Sequence, residues 1–97
     1  MLKVLQTREF IAWRDGLKDA RAKARIADRI LRLEGGNFGD AKPIGEGLSE
    51  LRIHYGPGYR LYLVRRGNTL VILLGGGIKR TQAKDVKAAK SLASLLK

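Results

Sequence analysis

Apolar residues recur at helical spacing in the first third of the chain and alternate with polar ones in the middle. Leu2 to Gln6 is a short apolar segment that predicts an edge strand. Thr7 follows as a helix N-cap, and Phe10, Trp13 and Leu17 recur at helical spacing, predicting a first helix over 8–17. Asp19 caps a second helix over 20–34, with Ile26, Ile30 and Leu33 as its apolar stripe and Ala20, Ala24 and Ala27 beside it. Gly35 and Gly36 end that helix. Residues 35–47 carry five glycines in thirteen positions and predict a loop.

Past this loop the period becomes two. Leu51, Ile53 and Tyr55 alternate with Glu50, Arg52 and His54, which predicts a half-buried strand with Arg52 and His54 on one face. Gly56-Pro57-Gly58 makes a turn, Tyr59 to Arg66 a returning strand, and Gly67-Asn68 a second turn. Thr69 to Leu74 is apolar enough for a central strand, which Gly75-Gly76-Gly77 should end. A last helix over 82–95 presents Val86, Ala89, Ala93 and Leu96 as a narrow stripe. The order β-α-α-β-β-β-α predicts an α+β fold. One antiparallel sheet carries helices on one face, an N-terminal helical hairpin and a C-terminal helix, in a single domain spanning residues 1–97.

Charge changes the picture more than composition does. Twenty Lys and Arg against nine Asp and Glu give a formal charge of +11, so the expected partner is a polyanion. The chain has no cysteine, which excludes disulfides and thiolate chemistry, and its single histidine and scattered acids match no metal-ligand spacing. No metal or cofactor is expected. The longest strongly apolar run, residues 70–74, is far short of the ~20 residues of a membrane helix. The segment MLKVLQTREF lacks the apolar stretch of a signal peptide, so a soluble, cytoplasmic protein is expected.

The chemistry left open is metal-independent work on a phosphodiester. No nucleophile elbow surrounds Ser49, Ser91 or Ser94, and LLGGGIKRT lacks phosphate-loop spacing because Lys79 follows the glycines too soon. RNA can be cut by its own 2′-hydroxyl, given a base, an acid and cations for the charge that grows at phosphorus. His54 suits the proton transfer, and Arg52 and Arg60 suit the phosphate. Tyr59 or Tyr62 can stack a base, and Lys79 with Arg80 can hold a phosphate at the start of the last helix. Each residue also has a structural reading. His54 is then an ordinary strand histidine, Arg52 pairs with Glu50, Arg60 ties to Asp40 or Glu46, and the tyrosines are core.

The segments F-x-x-W at Phe10–Trp13, GNFGDAK at Gly36–Lys42, ELRIHYGPGYRLY at Glu50–Tyr62 and L-x-G-G-x-K-x-T-Q at Leu74–Gln82 are spread over nearly the whole chain. On these residues the sequence resembles the RelE/HigB-like toxins of bacterial type II toxin–antitoxin modules, in their phage-derived Gp49-like branch. The resemblance implies an mRNA endoribonuclease that acts on ribosome-bound mRNA, needs no metal and inhibits translation. Its implied partners are mRNA, the ribosome and a cognate antitoxin, often a helix-turn-helix DNA-binding protein, in a toxin–antitoxin hetero-oligomer. Carried onto this chain, it implies catalytic roles for Arg52, His54, Arg60 and Arg80, and RNA contacts by Lys42, Tyr59, Tyr62, Lys79 and Gln82. The same superfamily holds ParE-type gyrase inhibitors, so a non-enzymatic inhibitor stands as the alternative, with a basic RNA-binding module without turnover as a third.

Overall fold

In the computed structural model, which describes residues 2–96, five strands form one sheet and three helices pack against it. The elements are β1 (Lys3–Gln6), α1 (Arg8–Asp15), α2 (Ala20–Glu34), β2 (Ala41–Gly45), β3 (Leu48–Ile53), β4 (Tyr59–Arg66), β5 (Leu70–Ile78) and α3 (Gln82–Leu95). A 3-10 turn, Lys79–Thr81, joins β5 to α3. Met1 and Lys97, the ends of the expected domain, lie outside the described residues.

The helices begin where their caps dictate. The Thr7 hydroxyl accepts from the Phe10 amide at 3.2 Å, and the Asp19 carboxylate accepts from the amides of Arg21 and Ala22. Each cap satisfies donors that the first turn leaves open. Burial on α2 falls on Ala22, Ile26, Arg29, Ile30 and Leu33, while Ala20, Ala24 and Ala27 face solvent. The expected alanine flank is therefore on the wrong side of the stripe, and Ala22, four residues before Ile26, takes its place.

Sheet order is β1-β5-β4-β3-β2. The pairs β2–β3, β3–β4 and β4–β5 are antiparallel, but β1 runs parallel to β5, so the sheet is mixed rather than antiparallel. Thr7 secures this pairing: its amide and hydroxyl both donate to the Leu73 carbonyl, at 3.1 and 2.8 Å. The helices also divide between two faces instead of covering one. Phe10, Ile26 and Leu33 of α1 and α2 pack on Leu51, Leu61, Leu63 and Leu73. Ala89 and Ala93 of α3 pack on Leu48, Tyr62, Val64 and Leu74.

Two glycine-rich segments depart from expectation. Residues 41–45 form β2 inside the predicted loop, with Ala41 opposite Leu51 and Lys42 opposite Glu50. Pro43 is tolerated because β2 is an edge strand with one side unpaired. In the second segment, Gly75-Gly76-Gly77 does not end β5 but lies within it. A side chain at Gly76 would collide with the Trp13 indole, and one at Gly77 with the Asp85 carboxylate. The strand is glycine there because α1 and α3 close on its two faces. Gly76→Ala should therefore cost about 1–3 kcal/mol through overpacking. Chemical denaturation would measure it, and displacement of Trp13 should shift the intrinsic tryptophan emission.

Arg29 holds the corner of the sheet. It is 9% exposed, and its guanidinium donates to three carbonyls: Arg52 at 2.7 Å, Asp40 at 2.9 Å and Phe38 at 3.1 Å. Gly39, at φ +64°, leaves the room this guanidinium needs, since a Cβ there would lie 2.9 Å from Arg29 Nε. Desolvation pulls the Arg29 pKa below its ordinary value, opposed by the Asp40 carboxylate. Arg29→Ala should strand these acceptors and cost about 2–4 kcal/mol in denaturant unfolding.

Candidate functional site

Strand alternation and register place the predicted cations in rows on the α3 face of the sheet. Arg52 and Arg60 stand directly opposite each other on β3 and β4, with Gly77 of β5 next in line. Asp40, just before β2, completes this row through its carbonyl, which accepts from the Arg52 amide at 2.9 Å. The neighbouring row is Lys42, Glu50, Tyr62 and Gly75. Arg52, Arg60, Lys42 and Tyr62 thus share one face, and His54 joins them through its bond to Asp40.

Two carboxylates organise the cations. Asp40 Oδ1 accepts from Arg52 Nη2 at 3.0 Å, and Asp40 Oδ2 meets His54 Nε2 at 2.5 Å. Glu50, 1% exposed, accepts from Arg60 Nη1 at 2.9 Å and from Gln82 Nε2 at 2.6 Å. Alternation along β3 predicts Glu50 at a solvated position, but α3 covers that side, so the acid is buried with two donors. Arg52 pairs with Asp40 rather than Glu50, and Arg60 with Glu50 rather than Asp40 or Glu46.

Accessibility separates the candidates. The His54 side chain is 78% exposed, Arg52 37% and Arg60 11%. Lys42, Lys79 and Arg80 are exposed, and Gln82 is half-buried in the Glu50 pair. Lys79 borders the hairpin turn, where its amide faces the Pro57 carbonyl at 3.4 Å. Each arginine engages its carboxylate through one terminal nitrogen, and the Nε of both is buried without a partner.

The expected base-stacking rings are not on offer. Tyr59 is 8% exposed on the opposite face, packed among α1 and α2 residues and stacked on Tyr55. Tyr62 is 0% exposed, and its hydroxyl has no partner. Burial, followed by the Glu50 and Asp85 carboxylates, pushes the Tyr62 phenol well above its ordinary value. At the start of α3, Asp85 accepts from the Thr81 hydroxyl at 2.5 Å, beside the exposed Lys79 and Arg80. A cleft lined by Glu46, Leu48, Val64, Arg66, Lys90 and Ala93 contains none of these cations.

Asp40 and Glu50 are the residues that sequence reasoning missed as site components. The signal for Asp40 was its place in GNFGDAK, read as loop. Among the described residues no cluster of three or more His, Asp or Glu is arranged for a metal ion, and no helix is long and apolar enough to cross a membrane.

With the geometry in place, comparison adds one relationship. Over 95 residues, 98% of this chain and 96% of the other, the sequence is 52% identical to an uncharacterized protein of Haemophilus influenzae. The chain belongs to that protein's family. No protein-family model matches the sequence.

The Asp40 carboxyl is held below its ordinary value of 3.8, first by the His54 bond and then by Arg52. A depressed carboxyl stabilises the fold above its unfolded pKa, and that contribution disappears as pH falls through the folded value. Between pH 5 and pH 2, wild type should lose stability more steeply than Asp40→Asn. Urea midpoints across that range would show the difference.

Proposed function

We propose that this protein is the toxin of a type II toxin–antitoxin module of the RelE/HigB-like kind, acting as a metal-independent mRNA endoribonuclease. The observation that carries the reading is the pairing of Arg52 with Arg60 on one sheet face, with His54 held just past the strand end by the carboxylate that also holds Arg52, near exposed Lys42 and Lys79. In the proposed step His54 takes the proton of a 2′-hydroxyl as that oxygen bonds to phosphorus. The bond to the 5′-oxygen breaks, and that oxygen leaves with a proton drawn from water. The products are a 2′,3′-cyclic phosphate and a 5′-hydroxyl. Arg52 and Arg60 stabilise the added charge on the phosphoryl oxygens. The open, cationic surface suits a polymer, and ribosome-bound mRNA in the cytoplasm is the substrate the resemblance favours. An antitoxin would cover this surface in a hetero-oligomer.

A second reading draws on the two carboxylates. Asp40 and Glu50 already occupy the arginines, as a surface used only for binding would allow. A gyrase inhibitor or an RNA-binding module without turnover then replaces the nuclease.

Primer extension on mRNA from induced cells separates these readings. Discrete new 5′ ends and growth arrest are expected; intact mRNA with DNA damage, or no toxicity, would overturn the nuclease. Arg52→Ala and His54→Ala are the informative variants because both side chains are accessible, whereas Arg60→Ala would strand the buried Glu50. Each should lower cleavage about 100-fold while the protein stays folded by circular dichroism.

A further inference from the structure

We infer that Asp40 is a positioning residue that fixes the tautomer of His54 and thereby selects Nδ1 as its proton-accepting atom. This rests on the nuclease reading for its consequence, though not for its geometry. His54 lies just beyond the end of β3 with its side chain 78% exposed. Asp40 is the hydrogen-bonding partner that orients it. An ionised carboxylate only accepts, so the Nε2 that lies 2.5 Å from Oδ2 carries the proton and donates it. The lone pair of the neutral ring is then on Nδ1.

Asp40 does more than attract a ring. Its other oxygen takes Arg52 at 3.0 Å, so one carboxylate sets the spacing between the base and a phosphate-binding fork. The carboxylate is itself fixed from behind. The Asp40 carbonyl accepts from the Arg52 amide and from the buried Arg29 guanidinium, both at 2.9 Å. Rigidity thus passes from α2, through Arg29 and Asp40, to an imidazole that is otherwise largely exposed. As His54 takes the 2′-hydroxyl proton it becomes a cation, and the carboxylate against Nε2 stabilises that charge.

The test uses the full chain labelled with ¹⁵N. Long-range imidazole spectra above the histidine titration should show the Nε2–H tautomer in wild type and a mixed population in Asp40→Ala. A wild-type Nδ1–H tautomer, or an unchanged population in the variant, would overturn the inference. Kinetics supply the second arm. Asp40→Ala should lower kcat about tenfold in the wild-type background and by a clearly smaller factor, owed to Arg52 alone, in His54→Ala. Equal losses in the two backgrounds would mean that Asp40 does not act through His54. If the tautomer behaves as expected but the wild-type protein cuts no RNA, the nuclease reading fails while the role of Asp40 in holding His54 stands.

Discussion

A single buried guanidinium holds the working corner of this molecule together. Arg29 reaches from α2 to the carbonyls of Phe38, Asp40 and Arg52, which belong to a glycine-rich approach and to the strand it joins. An arginine with three strong acceptors offsets much of its desolvation, whereas an apolar side chain there would leave the carbonyls unpaired. Because Gly39 has no side chain, the chain can wrap closely around the guanidinium. Everything at the hairpin end follows from that contact. It fixes where Asp40 emerges, and Asp40 fixes where Arg52 and His54 stand.

The site is built from cations that carboxylates hold in place. Glu50 is buried between Arg60 and Gln82, so it ties β3 to β4 and to the start of α3 with one side chain. Removing either partner of such a buried pair leaves an uncompensated charge, so the pair is firm whatever its net contribution to stability. Asp40 is the more exposed of the two acids and binds the more exposed cations. Arg52 and His54 are therefore the cations nearest to solvent at this corner, while Arg60 stays anchored beneath. The two carboxylates therefore divide the labour: one makes the frame, the other orients the groups nearest to solvent.

How much of this the sequence disclosed depends on how local the cause is. Thr7 and Asp19 announce their helices because capping uses neighbouring amides, and α2, β4 and α3 begin and end where pattern puts them. Where the cause is distant, pattern fails. Residues 41–45 have a loop composition but pair with β3, since an edge strand tolerates glycine and proline. Gly75 to Gly77 look like a terminator, yet they stay in β5 because Trp13 and Asp85, far away in sequence, need the space. Alternation assigned Glu50 to solvent without knowing that α3 covers the second face. The same omission made Tyr62 a stacking candidate when it is core. Arg52 was legible as a strand residue, but β3 stops at Ile53, short of the expected His54 and Tyr55, and His54 meets Arg52 through Asp40, the acid that pattern did not reveal.

The distribution of acids explains how a chain with nine of them against twenty bases can keep a defined cationic surface. Several acids are committed to fixed tasks: Asp19 caps α2, Glu50 bridges two strands and a helix, Asp85 holds Thr81 at the start of α3, and Asp40 sets the hairpin cations. Of the other five, Asp15, Asp28 and Glu46 pair with Arg14, Arg32 and Lys90, and among the described residues no ion pair involves Lys42, Lys79 or Arg80. The excess charge is therefore outward, and a long-range field of this kind attracts polyanions without dictating their orientation. Orientation has to come from short-range contacts, and those are concentrated where Asp40 and Glu50 have already fixed the donors. On the proposed reading, a polymer would meet pre-set donors in the row that runs from Asp40 through Arg52 to Arg60.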